Sequence, residues 1–311
     1  MHPAFSVIFF TVTSGAGYGI LIFLGLLGLV NTNSFFDAKI AEIFAIAGVL
    51  GMGLVALGLM ASSLHLANKK NAWRAFFRFK SSWLAREAVF AVLSFPIAVA
   101  FIASFYFLDN AILTKSLAIL TIVISLITTY STGMIYGCLK TIRAWNTPLV
   151  PFNYIALGLI TGNLILIAFL NYFKIGSEVL EITLISALSI GFIGKIIYFK
   201  FIGEPSPLTV KNATGLPGKT VRLLDTGESS AKANFLTKEF GYEVGPKTIG
   251  VVRLIAITFM FIIPAILLFT TPTFIGLLVF TIFNYLGTMA ERWLFFAEAR
   301  HIVNLFYGRS I

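Results

Sequence analysis

Apolar residues in this chain run in long blocks, and most polar residues are gathered in the gaps between them. A helix needs roughly 20 residues to cross about 30 Å of hydrocarbon. Eight blocks reach that length, at about 5–30, 41–66, 84–107, 112–138, 151–173, 179–201, 250–270 and 273–296. The pattern predicts an all-α fold, a polytopic membrane helix bundle with eight transmembrane helices forming one domain over 1–311. The first block has no basic stretch before it and no small-residue cleavage site after it, so it reads as an uncleaved helix and not as a signal peptide.

One connection is long. Residues 202–250 hold 11 of the 36 charged residues together with Pro205, Pro207, Gly215, Pro217, Gly218, Gly227, Gly241 and Pro246. That composition predicts a water-facing loop between the sixth and seventh spans, with one short helix around 231–240. The other connections are short enough to make consecutive helices antiparallel neighbours. Ser14, Gly15, Ala16, Gly17 and Gly19 in the first span, and Gly48, Gly51, Gly53 and Gly58 in the second, would let helix backbones approach closely within the bundle.

Composition agrees with the pattern. Hydrophobic residues make up 58% of the 311 and charged residues 12%, half the share a soluble chain needs to cover its surface. Soluble enzyme, disordered and nucleic-acid-binding readings are thereby excluded, despite a net charge of +10. The basic excess has a membrane explanation, because cytoplasmic loops collect Lys and Arg. With connections assigned alternately to two sides, twenty Lys and Arg fall on the side of both termini and three, Lys39, Lys115 and Lys174, on the other. The twenty include Lys69, Lys70, Arg74, Arg78, Lys80 and Arg86 after the second span, and Lys195, Arg253 and Arg292 as flanks of later ones. Both termini and the 202–250 loop are therefore expected in the cytoplasm, with the protein in the inner (cytoplasmic) membrane. Cys138 is the one cysteine, which rules out an internal disulfide and an iron–sulfur cluster built from this chain. No metal site is expected. The three histidines, His2, His65 and His301, leave little room for haem, although His65 and His301 fall on the same side.

Ionisable groups at membrane depth are expensive and point to function. Two places concentrate them. His65 closes the second span and Glu87 opens the third, so both are expected at neighbouring helix ends on one face. Glu291, Glu298 and His301 are spaced i, i+7, i+10 at the end of the eighth span, which would put them on one helical stripe. A histidine and a carboxyl group at an interfacial helix end suit a quinone head group. Its carbonyls need hydrogen-bond donors, and each two-electron step moves two protons, which imidazole and a semi-buried carboxyl group can hold and pass on. The competing reading is structural: His65 caps a helix and Glu87 pairs with Arg86 or Arg74. The segment Trp73-Arg74-Ala75-Phe76-Phe77-Arg78 likewise reads as an interfacial belt.

Several motifs in order resemble one family. Ser63-Leu64-His65-Leu66, Arg74-Ala75, Ser82-Trp83-Leu84-Ala85-Arg86-Glu87, Met134-Ile135-Tyr136, Trp145-Asn146-Thr147-Pro148, Asn234 to Tyr242 and Glu291 to His301 are similar to the membrane anchor subunit family of dimethyl sulfoxide reductase. The resemblance implies a non-catalytic electron-transfer anchor that exchanges electrons with quinone or quinol (menaquinone or ubiquinone) and carries no haem or iron–sulfur cluster. It also implies two partners, a four-cluster iron–sulfur subunit and a molybdenum pterin catalytic subunit. On that resemblance His65 and Glu87 match the family's quinol-binding His and Glu. Arg74 is a further candidate, as a donor to the ring oxygen or as a docking contact, whereas Glu298 and His301 have no matched role. The charge bias favours a cytoplasm-facing sulfite dehydrogenase that reduces quinone; dimethyl sulfoxide reduction with quinol as donor is the alternative. A polysulfide-reductase-type subunit or a secondary transporter remain competing classes. The transporter is disfavoured because only Pro96 and Pro264 break the internal spans.

Overall fold

The computed structural model describes residues 1–30, 38–64, 69–107, 110–203, 209, 211, 215, 240–266, 270 and 273–307. Most of the long loop, with its expected helix at 231–240, lies outside the described residues apart from residue 240. Among the described residues eight helices are long and apolar enough to span a membrane: α1 (Phe5–Val30), α2 (Ala38–Ser63), α3 (Trp83–Phe107), α4 (Ala111–Gly137), α5 (Leu149–Tyr172), α6 (Glu178–Gly203), α7 (Pro246–Ile266) and α8 (Phe274–Ala297). The chain is a multi-pass membrane protein, as the hydropathy pattern predicts. Where starts are sharp, local chemistry sets them. Asn110 Oδ1 accepts from the Ile112 and Leu113 amides to start α4, Thr273 Oγ1 accepts from the Gly276 amide to start α8, and Pro246 opens α7. The α7 start lies four residues before the expected one, because Lys247 reads as a loop charge whereas it is helical.

α1 and α5 form the centre, with 83% and 67% of their apolar windows buried against 22–44% for the other six. Their crossing depends on glycine. A Cβ added at Gly162 would lie 2.6 Å from the Gly19 backbone, and one at Gly17 would lie 2.5 Å from the Gly51 carbonyl oxygen of α2. The small residues of the first two helices therefore serve packing inside the bundle, with the exception of Gly53, which meets nothing within 4 Å.

α7 is not a regular helix. Residues Thr258–Ile262 form a π turn just before Pro264. Pro264 has no N–H for the Met260 carbonyl four residues back, and the Asn284 amide of α8 donates to that oxygen instead, at 2.9 Å. Thr161 of α5 donates to Asn284 Oδ1 at 2.8 Å, so one buried asparagine ties three helices together.

At the end that carries both termini, the non-helical segments are knitted together. Met1 N donates to the Phe296 and Ala299 carbonyls, and Ile142 forms a β-bridge with His301. Trp145 Nε1 donates to the Phe295 carbonyl and Asn146 Nδ2 to the Gly137 carbonyl at the end of α4. This end is the terminal face.

Candidate functional site

Glu87 sits one turn into α3, about 6 Å below the helix start. Its side chain turns inward between α3 and α4 and is 5% exposed. Thr132 Oγ1 of α4 donates to its Oε1 at 2.5 Å. Tyr136 stands one turn on from Thr132 along α4, and the Tyr18 hydroxyl of α1 meets Ser94 Oγ of α3 at 3.4 Å. Among the described residues no basic side chain pairs with it. Arg86 points the other way: its guanidinium donates to the Phe79 and Lys80 carbonyls and lies 4.2 Å over the Trp83 ring, closing the turn before α3. Arg74 is exposed and lies 5.7 Å over the Trp73 ring. The ion pairs that would make Glu87 purely structural are therefore not formed. A carboxyl group free of an ion pair can exchange its proton with a neighbour.

A second polar centre lies deeper in the bundle. Lys195 of α6 is 1% exposed, and its ammonium contacts Glu291 Oε1 of α8. Glu291 Oε2 is 2.6 Å from Arg292 Nε, and the Arg292 guanidinium lies 3.9 Å over the Tyr154 ring of α5. Two cations thus face one buried anion. The rings of Tyr198 and Phe199, one turn on from Lys195, take up part of that excess at 4.2 and 4.7 Å. Nearer the terminal face Glu298 Oε1 receives Arg253 Nη2 at 2.5 Å. Burial lifts the Glu298 carboxyl above the usual carboxylate range, and Arg253 beside it offsets only part of that shift. Among the described residues no group of three or more His, Cys, Asp or Glu comes together in a way that could hold a metal.

The family model described as DMSO reductase anchor subunit (DmsC) matches residues 1–309. The chain belongs to the DMSO reductase anchor subunit family. It is also 29% identical over 327 residues to a sulfite dehydrogenase subunit of Allochromatium vinosum, covering 99% of each chain. An anchor subunit of this kind implies a catalytic subunit and an iron–sulfur subunit as partners.

Within this anchor subunit the residues singled out from sequence separate. His65 lies outside the described residues. Glu87 is buried and Arg74 stands at the surface, in a short 3₁₀ segment (Lys69–Arg78) that exposes Trp73, Phe76 and Phe77. Glu291, Glu298 and His301 do not share a helical stripe, because α8 ends at Ala297 and the chain turns away. Glu291 joins Lys195, Glu298 joins Arg253, and His301 stacks on Phe240 with its Nδ1 accepting from the Val303 amide at 3.0 Å. Burial pushes the His301 imidazole below its ordinary range. Sequence reasoning missed Lys195 and Arg292 as interior groups and counted them as loop charges. The signal that could have found them was position: Lys195 stands in Ile193-Gly194-Lys195-Ile196-Ile197, a charge inside an apolar run, where burial against a partner is the default.

Proposed function

We propose that this anchor subunit exchanges electrons with the membrane quinone pool, with the quinone head group at Glu87, His65 and Arg74 on the terminal face. The observation that carries this reading is Glu87 itself, a buried carboxyl group one turn inside a span, held by one hydroxyl donor and, among the described residues, by no cation. The 3₁₀ segment beside it presents Trp73, Phe76 and Phe77 outward, which suits a belt at the membrane surface where a lipophilic molecule enters. The role of Glu87 is to take or give the proton that accompanies a two-electron step, and that of Arg74 to donate to a ring oxygen or contact the docked subunit. The apolar groove of about 440 Å³ between α6 and α7, lined by Leu188, Phe192, Phe261 and Ile262, carries no ionisable group and suits hydrocarbon only.

Electron tunnelling is short-ranged, so the iron–sulfur subunit, with four clusters, docks on the terminal face. The molybdenum pterin subunit stands behind it. The charge bias supports a cytoplasmic position for that face, and the relative from Allochromatium vinosum is named as part of a sulfite dehydrogenase. Together they favour a cytoplasm-facing sulfite dehydrogenase that delivers electrons to quinone. Dimethyl sulfoxide reduction with quinol as donor is the second reading, supported by the description of the family. Membranes carrying the complex are expected to reduce a soluble quinone analogue when given sulfite. Glu87→Gln should lower that rate at least tenfold while sulfite oxidation with an artificial acceptor persists. If both rates fall together, Glu87 is structural and the quinone reading fails. If dimethyl sulfoxide, and not sulfite, is turned over, the second reading replaces the first.

A further inference from the structure

The Lys195–Glu291–Arg292 cluster has no part in the reading above, yet it places three charges inside the spans, each at most 3% exposed. Replacing buried ion pairs with apolar side chains often leaves a protein as stable or more so. Stability is thus a poor reason to keep three charges at this depth, and an intramembrane ionisable group points first to function.

Three observations indicate which function. The cluster approaches the surface at one end: Glu298, with its side chain 13% exposed, pairs with Arg253, whose guanidinium lies 4.6 Å over the Phe199 ring that the Lys195 ammonium also meets. At the other end it continues towards Glu87. Arg292 covers the Tyr154 ring, Tyr154 stacks on Tyr136 with centroids 6.0 Å apart, and Tyr136 lies one turn on from Thr132, whose hydroxyl donates to Glu87. Between the two ends is a small cavity lined by Thr11, Tyr154, Thr288 and Arg292, with about 10 Å³ of free space. The buried Arg292 Nη1 and Tyr154 hydroxyl make no hydrogen bond of proper geometry among the described residues, although the two groups lie close enough to attract each other. The Thr11 and Thr288 hydroxyls donate elsewhere and keep lone pairs free to accept. One water fits such a space, and these groups offer it the two to four polar partners it needs.

We propose that Glu298, the Lys195–Glu291 pair, one water in this cavity and the Tyr154 hydroxyl form a proton path between the terminal face and Glu87. The proposal rests on the quinone reading of Glu87. Conversion of a quinone to a quinol takes two electrons and two protons. The electrons arrive from sulfite by way of the iron–sulfur subunit, and the protons enter at Glu298 and leave at Glu87. Lys195 and Glu291 can pass a proton between them while the pair keeps its net charge. Arg292 keeps its proton at every working pH, so it is a positioning residue that orients the water and holds Glu291. Reprotonation from the surface resets each group after a transfer.

The test uses the assembled complex with two conservative variants of this chain. Lys195→Met removes a carrier and leaves the Glu291–Arg292 pair neutral. Tyr154→Phe removes one hydroxyl and keeps the ring. Binding of a fluorescent quinol analogue reads the quinone site, and a pH-indicator dye reads proton uptake after a sulfite pulse in the presence of a quinone analogue. We expect both variants to bind the fluorescent analogue within twofold of the parent, while proton uptake slows at least tenfold with a larger solvent isotope effect. Uptake within twofold of the parent in both variants overturns the path. So does a parallel loss of analogue binding, which would mean that the cluster shapes the quinone site. Glu87→Gln separates the two ideas: quinone-analogue reduction at the parent's rate in that variant sinks the quinone reading at Glu87, whatever Lys195→Met and Tyr154→Phe do.

Discussion

Glu291 serves two cations, and that asymmetry predicts unequal costs within one cluster. Glu291→Gln leaves Lys195 and Arg292 buried without a counter-charge, a loss of about 3–5 kcal/mol, whereas Lys195→Met leaves a neutral pair and costs much less. Thermal unfolding of the two variants in detergent checks the order. His301 gives a pH dependence with a definite sign. The fold holds its imidazole neutral, with Nδ1 accepting from the Val303 amide, and its folded value lies below the ordinary one of about 6.5. Its contribution is therefore present above that ordinary value and lost as pH falls through the lower folded one. Protease cleavage of the C-terminal segment should rise as pH falls below about 6.5. His301→Gln should flatten that profile, and a profile unchanged by the substitution would contradict the role given to His301. At this scale the sequence was only partly informative. Glu87 stood out as a lone carboxylate at the start of a span, but a count of basic residues does not say which way a side chain turns. Lys195, Arg253 and Arg292 therefore passed as loop charges although each faces a carboxylate.

At the scale of elements, hydropathy alone located all eight helices, with ends mostly within about three residues, because length and apolarity are what a bilayer requires. The interior was less legible. That the glycines would bring backbones together could be read, but not that Gly15 and Gly19 would meet Gly158 and Gly162 of α5 while Gly53 would meet nothing. The difference is testable. Gly162→Leu puts a side chain against Gly19 backbone and should cost at least about 3 kcal/mol, while Gly53→Leu should be tolerated. Accumulation of the folded chain in membranes measures both. The π turn left no mark in the pattern, since it depends on Pro264 in α7 and Asn284 in α8 meeting across two helices. Asn284→Ala should lose about 1 kcal/mol for the bond to the Met260 carbonyl. Pro264→Ala restores the missing N–H, so the double variant should be more stable than the sum of the single losses, and strict additivity would remove the link.

For the whole molecule, the even number of spans brings both termini, Glu87, the 3₁₀ segment and Glu298 to one face, the arrangement an anchor needs if a partner is to dock over a quinone site. Which compartment that face meets rests on the charge bias. Labelling of single cysteines at Ser81 and Lys115, both exposed at opposite ends, tests it in a background without Cys138, which is itself exposed. Labelling of position 115 and not 81 from outside intact cells is expected; the reverse would turn the complex around and favour the sulfoxide reading. The central claim, that the quinone head group sits at Glu87, is tested most directly by photolabelling the assembled complex with a photoreactive azidoquinone and mapping the modified residues. The account predicts label in the 3₁₀ segment and the first turns of α3, displaced by excess quinone and lost in Glu87→Gln. Displaceable label confined to the apolar groove between α6 and α7, and unchanged in Glu87→Gln, would contradict it.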